Sequence, residues 1–201
     1  MPRRSQRRSQ EDRSRTTKAA LVQTGRRFFA ERGYAAVSAE EIVAAAGVTR
    51  GALYHHFGDK RGLFVAVLEE VEGENLAAIE TLPEAPDFTA GLIAALARFL
   101  DTCQERETVQ IALTDAPAVL GWQDWRAMEA RYGLGLVTEL LERAQREGMV
   151  GSAPIPVLAQ LVLSAVVEAG LIVAHAEDRV VARAEAEQAL MLLFAGILRG
   201  A

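Results

Sequence analysis

Residues 38–57 read SAEEIVAAAGVTRGALYHHF, and the rest of the chain is understood outward from them. Ser38 with Glu41 three places on is the pattern of a capping box, in which hydroxyl and carboxylate each take one free backbone N–H of a helix start. Ile42, Ala45 and Ala46 give the short helix that follows an apolar side. Gly47 ends it, because glycine enters the left-handed backbone region without steric penalty and turns the chain sharply. Val48 is expected to fill the angle, and Thr49 to cap a second helix from Arg50 to about Phe57. There Leu53 and Phe57, four apart, share the inward side, which leaves Arg50, Gly51, Tyr54 and His55 for the outer one.

A helix held at a steep angle by a short turn projects N-terminus first, the geometry with which helices enter the DNA major groove. Arg50 stands at the leading end, where its planar fork bonds a guanine edge or a phosphate, and Thr49 and Gly51 are small enough for close approach. Tyr54, His55 and Lys60 suit phosphate oxygens. A plain helical hairpin with solvated polar residues has the same pattern. Charge bears on the choice: residues 1–60 hold 12 Lys or Arg against 6 Asp or Glu, and residues 61–201 hold 10 against 21, for a net charge of −5. A basic end on an acidic chain is expected where only that end meets phosphate.

The first fifteen residues, MPRRSQRRSQEDRSR, contain six arginines and no apolar residue beyond Met1 and Pro2. They are expected to form a disordered arm, either a solvated tail or a segment touching phosphate or the minor groove beside the site. From about Thr17 to Arg32, Leu21, Gly25, Phe28 and Phe29 recur at helical spacing before Gly33, which describes a helix supporting the turn from behind. Gly58 and Asp59 make a turn and cap, and Lys60 opens a fourth helix, where free N–H groups also attract anions.

From about Thr17 to Val67, with FFAERGYAAVSAEEIVAAAGVTRGALYHHFGDKRGLF at its heart, the chain resembles the DNA-binding domain of the TetR family of bacterial transcriptional regulators. GVTRGALYHHFGDK is similar to the family's recognition helix and the start of its fourth helix. Val43 departs from the family's usual alanine, a change of two methyls that the motif tolerates. The resemblance implies DNA contact by Ser38, Thr49, Arg50, Gly51, Tyr54, His55 and Lys60, dimerisation through the last two helices, and a small-molecule effector bound in the C-terminal part. DAPAVLGWQDW and RYGLGL resemble actinobacterial members, which bears on ancestry and not on a ligand.

The remainder reads as helix after helix. Lys60 to about Thr81 carries Leu63, Phe64, Val67, Leu68 and Val71; Asp87 caps a fifth helix with Phe88, Leu92, Leu96, Phe99 and Cys103 on one side. Thr108 to Thr114 is a short apolar piece interrupted by Asp115, Pro117 and Gly121. On a long seventh helix, Trp122, Trp125, Met128, Tyr132, Leu136 and Leu140 fall on one side, as core or as the wall of an apolar cavity. The candidate lining is Phe99, Cys103, Gln110, Thr114, Trp122, Trp125, Met128 and Glu168, with Arg183 or His175 as alternative partners for the carboxylate. An eighth helix from Pro154 to about His175 is apolar nearly all round, and a ninth follows from Arg179 to Leu198. Leu161, Ala165, Ile172, Leu190, Leu193, Phe194 and Ile197 are the expected dimer contacts, in a four-helix bundle.

Single Cys103 allows no internal disulfide and fits a reducing cytoplasm; no clustered metal ligands or cofactor motif appear. The longest apolar stretch, Leu161 to Ala174, is broken by Ser164 and Glu168 and falls short of a membrane span. Cys103, His175 and Asp115 form no nucleophile motif, so an enzyme is not expected. The reading is an all-α protein of about nine helices: a basic arm (1–15), a helix-turn-helix DNA-binding domain (16–60) and a ligand-binding and dimerisation domain (61–201). It is expected to act as a cytoplasmic homodimeric repressor of a palindromic double-stranded operator, released by a small, largely apolar effector. A helical protein-interaction module, or a regulator without a ligand, is the alternative.

Overall fold

The computed structural model describes residues 3–198, in which every regular element is helical. In chain order these are α1 (Arg3–Arg32), α2 (Ala39–Ala45), α3 (Arg50–Phe57), α4 (Lys60–Glu80) and α5 (Phe88–Thr102). α6 comprises Arg106–Thr108, a π-helical stretch Val109–Asp115, and Ala116–Leu120. α7 likewise comprises Trp122–Glu129, a π-helical stretch Ala130–Leu134, and Gly135–Arg146. α8 (Ile155–His175) and α9 (Arg179–Ile197) complete the chain.

The arm expected over residues 1–15 is helix from Arg3 onward, continuous with α1; Met1 and Pro2 lie outside the described residues. No glycine or proline interrupts residues 3–24, and Arg, Gln and Glu have helix propensities close to alanine's. A helix anchored by buried Leu21, Val22 and Phe29 therefore propagates backward, because extension is far easier than nucleation.

Around the turn motif, Leu21, Phe29, Val37, Ile42, Leu53, Leu63 and Phe64 are buried. The rings of Phe29 and Phe64 meet edge to face at 5.4 Å, and Tyr34 meets Phe64 at 5.1 Å. Fully buried aliphatic or aromatic side chains contribute roughly 1.5–3 kcal/mol each, so these residues hold the two short helices α2 and α3, which would not stand alone. α4 leaves this cluster along Leu63, Phe64, Val67, Leu68 and Val71 and continues into the body, where it packs on α5, α6 and α7. Gly62 permits its start: a Cβ there would lie 1.9 Å from the Phe57 carbonyl oxygen.

In the body α8 lies against α5, α6, α7 and α9. By length and composition alone α8 is long and apolar enough to cross a membrane, which the shorter stretch Leu161 to Ala174 had not indicated. It carries Glu168 and Ser164, and its buried side, with Ala159, Leu163, Ala169 and Val173, belongs to the helical core.

Candidate nucleic-acid interface and cavity

Ser38 caps α2 as the spacing predicts: the Glu41 N–H donates to Ser38 Oγ at 3.2 Å, and the Ser38 N–H donates to Glu41 Oε2 at 2.9 Å. These bonds, with Arg32 Nη2 at 2.9 Å, hold the Glu41 carboxyl down at about 2. Gly47 takes φ +66°, the left-handed turn that side chains resist, and Val48 packs into the corner. Thr49 then caps α3, accepting the Ala52 N–H at 3.3 Å.

Thr49, Arg50, Gly51, Tyr54 and His55 are all exposed, at the leading end and along the outer side of α3, while Leu53 is fully buried behind them. Arg50 lies 2.9 Å from Glu40 and donates to the Tyr54 hydroxyl at 3.0 Å. Both partners of the Arg50–Glu40 pair are 61% exposed, so it is a weak tether that leaves the guanidinium available to an outside acceptor.

Lys60 departs from the expected phosphate contact. Its Nζ donates to the carbonyls of Tyr34 at 3.0 Å and Val37 at 2.8 Å, and sits 3.9 Å from the Tyr34 ring centre. An ammonium offered two carbonyls at a turn and an aromatic face points inward, so Lys60 fastens the start of α4 to the α1–α2 turn. Other polar links join these helices to the body. The Tyr34 N–H donates to Asp115 at 2.7 Å, and Arg26 bonds both Glu74 on α4 (2.7 Å) and Glu107 on α6 (2.8 Å). Arg61 reaches Asp124 on α7 at 2.9 Å.

In the body, α4, α5, α6, α7, α8 and α9 enclose a largely apolar cavity of about 180 Å³. Of the side chains expected to line it, Phe99, Cys103 and Trp125 do so. The other five lie elsewhere. Trp122 is 70% exposed, Met128 packs into the core, and Glu168 is exposed. Gln110 lies against Gly33 near the turn motif, and Thr114 donates to the Val109 carbonyl at 2.7 Å and stands 3.4 Å from His175. Arg183 pairs with Asp101 and Glu187, so it is not the partner considered for Glu168.

Two carboxylates that the sequence reading passed over, Glu72 and Glu129, do line the cavity, with Asn75 and Tyr132. Burial, with Glu129 adding to it, pushes the Glu72 carboxyl up to about 7. Burial also raises Glu129, against the opposing pull of Arg126, whose Nη1 donates to Glu129 Oε2 at 2.6 Å. Oε1 of the same carboxylate is buried with no hydrogen-bond partner.

The apolar faces of the last two helices divide differently from the expectation. Val157, Leu161 and Ile172 on α8 and Val180, Val181, Leu192 and Leu193 on α9 are exposed. Leu190 and Phe194 are instead buried in the subunit, Ile197 and Phe194 line the cavity, and Ala165 is half-buried. Leu161, Ile172 and Leu193 thus face outward, whereas Leu190, Phe194 and Ile197 serve the interior. Glu168 falls between Leu161 and Ile172 on the outward stripe.

Comparison with known proteins agrees with this architecture. The profile described as "Bacterial regulatory proteins, tetR family" matches residues 21–67, and that described as "Tetracyclin repressor-like, C-terminal domain" matches residues 89–197. A TetR-family transcriptional regulator of Pectobacterium atrosepticum, solved by crystallography, is 36% identical and superposes with a TM-score of 0.79, covering 93% of this chain and 96% of that one. The Transposon Tn10 TetC protein of Escherichia coli is 28% identical over 152 residues, 76% of this chain and 77% of its own length. The HTH-type transcriptional repressor AcnR of Corynebacterium glutamicum is 39% identical over 59 residues, 29% of this chain and 31% of its own.

Proposed function

The chain belongs to the TetR family of transcriptional regulators, and from that premise we propose that it is a homodimeric repressor of a palindromic operator, released by a small molecule held in the body. We take residues 16–60 as the DNA-binding head and 61–201 as the effector and dimerisation part. The observation that carries the reading is the exposed face of α3, where Thr49, Arg50, Gly51, Tyr54 and His55 stand clear of the protein on a buried base of Leu53. Arg50 reads a base edge or phosphate and Tyr54 and His55 flank it on the backbone.

Dimerisation through the exposed stripes of α8 and α9 sets the distance between two such faces. Seven large apolar side chains on these stripes are left open to solvent in a single chain, a surface expected to be covered in the working assembly. A ligand in the cavity touches α4, which starts at the DNA-binding helices, and so favours one spacing of the heads over the other. The role is one of binding, without catalysis, in the cytoplasm where operator DNA is found.

Arg50→Ala tests the reading. It is expected to weaken operator binding by ~1–3 kcal/mol, roughly fivefold to more than a hundredfold, in a fluorescence anisotropy titration, with circular dichroism and oligomeric state unchanged. Undiminished operator affinity in this variant would remove α3 from the interface.

A further inference from the structure

Resting on the regulator reading above, we propose that the effector is a lipophilic cation, a protonated amine on an apolar or aromatic body, whose nitrogen sits between the carboxylates of Glu72 and Glu129. The cavity supplies both halves of that recognition. Its wall is mostly hydrocarbon and aromatic, including Leu76, Leu92, Phe99 and Trp125, and suits a hydrophobic body. Among the described residues its charged lining consists of Glu72 and Glu129, with no Lys, Arg or His side chain.

Among the described residues, one cation, Arg126, pairs with either of these two carboxylates. Arg126 bonds Oε2 of Glu129, and its Nη2 is held by Ser164 Oγ on α8 at 2.8 Å, which fixes the guanidinium behind the carboxylate. The Glu129 side chain is only 9% exposed, and Oε1 has no hydrogen-bond partner among the described residues. A buried carboxylate oxygen without a donor is a destabilised arrangement that a bound N–H relieves. An ammonium donates to both carboxylates and neutralises the excess charge. A neutral ligand leaves that charge uncompensated, and an anion adds to it.

The groups around Glu72 reinforce this. Glu129 and Tyr132 face it from α7 and Cys103 from α5. Burial pushes the Cys103 thiol up to about 12 and raises Tyr132, so both are neutral near pH 7. With the Glu72 carboxyl at about 7 in the empty cavity, a cation must displace its proton, and affinity for the cation rises with pH through that value. Tyr132 belongs to the π-helical stretch Ala130–Leu134 that immediately follows Glu129, a local widening of a kind that often occurs at ligand sites.

Three probes with one body and different heads decide the matter: phenylbutylamine, phenylbutanol and phenylbutyrate, titrated calorimetrically into the intact protein. The amine is expected to bind at least about tenfold more tightly than the alcohol, with the carboxylate weakest. Amine affinity should rise from about pH 6 to about pH 8 while the alcohol's stays level. Glu72→Gln and Glu129→Gln should each weaken the amine far more than the alcohol, with circular dichroism as the folding control. If a variant does not fold, the head-group preference and pH profile of the unaltered protein still decide. Equal binding of amine and alcohol, preference for the carboxylate, no binding of the amine, or amine binding untouched by either substitution overturns the proposal. Operator release is read separately. An amine that binds through both carboxylates yet leaves the operator complex intact upholds the cation site and overturns the effector-release reading.

Discussion

Lys60 shows how a side chain can be placed correctly along the chain while its partners stay hidden. Its position at the start of α4 was legible from Gly58 and Asp59, but the carbonyls it bonds come from a turn more than twenty residues upstream, which spacing does not disclose. Lys60→Met is expected to lower stability by ~1–3 kcal/mol, since two carbonyls lose a charged donor in a part-buried site; thermal denaturation followed by circular dichroism checks this. Glu72 and Glu129 were missed for a related reason. A glutamate beside an apolar residue on a long helix is normally the solvent side, and only the enclosing helices make these two interior. The carboxyls of Glu41 and Glu72 pull stability in opposite directions. Glu41, depressed to about 2, contributes stability that is present above its unfolded value and lost as pH falls from about 4.5 toward 2. Glu72, raised to about 7, contributes stability that is present below its unfolded value and lost as pH rises from about 4.5 through 7. Denaturation midpoints measured across this range should show both limbs. Glu72→Gln should flatten the upper one, and Glu41→Gln the lower one.

At the scale of elements, the boundaries of α2, α3 and α4 were readable because each begins with a side-chain cap, Ser38, Thr49 or Asp59, and α2 ends at Gly47. The cavity wall was readable only in part. Trp125, Tyr132, Leu136 and Leu140 line it, but Trp122 at the start of the same series does not. Trp122 is the first residue of α7, next to the Gly121 break, and stands 70% exposed there, whereas Trp125 one turn on is covered. Arg26 is the element-level joint, bonding α1 to both α4 and α6 with its guanidinium only 23% exposed. Arg26→Ala is expected to destabilise the fold by ~1–3 kcal/mol and to leave operator affinity less responsive to any ligand that binds the cavity. Denaturant unfolding and operator titration with and without that ligand check the two effects.

For the whole molecule, the all-helical architecture was evident from periodicity and caps, whereas the phase of α8 and α9 was not. Leu190 and Leu193 stand three apart and looked equivalent, yet the first is 2% exposed and the second 56%. A helix apolar on two sides does not say which side meets its own subunit. With Leu161 and Leu192 both exposed on these stripes, Leu161→Glu combined with Leu192→Glu is expected to yield monomers in analytical ultracentrifugation with helical content retained. Operator affinity should then fall at least about a hundredfold, as each half-site loses its tethered neighbour. The most direct test of the central claim is a stoichiometric titration of the purified protein against a duplex operator selected from random sequences, repeated at several salt concentrations. Two chains per palindrome, strong preference over unrelated DNA, and affinity that declines steeply with salt are expected. Binding without sequence preference at any salt concentration, or a single chain saturating the palindrome, would contradict that claim.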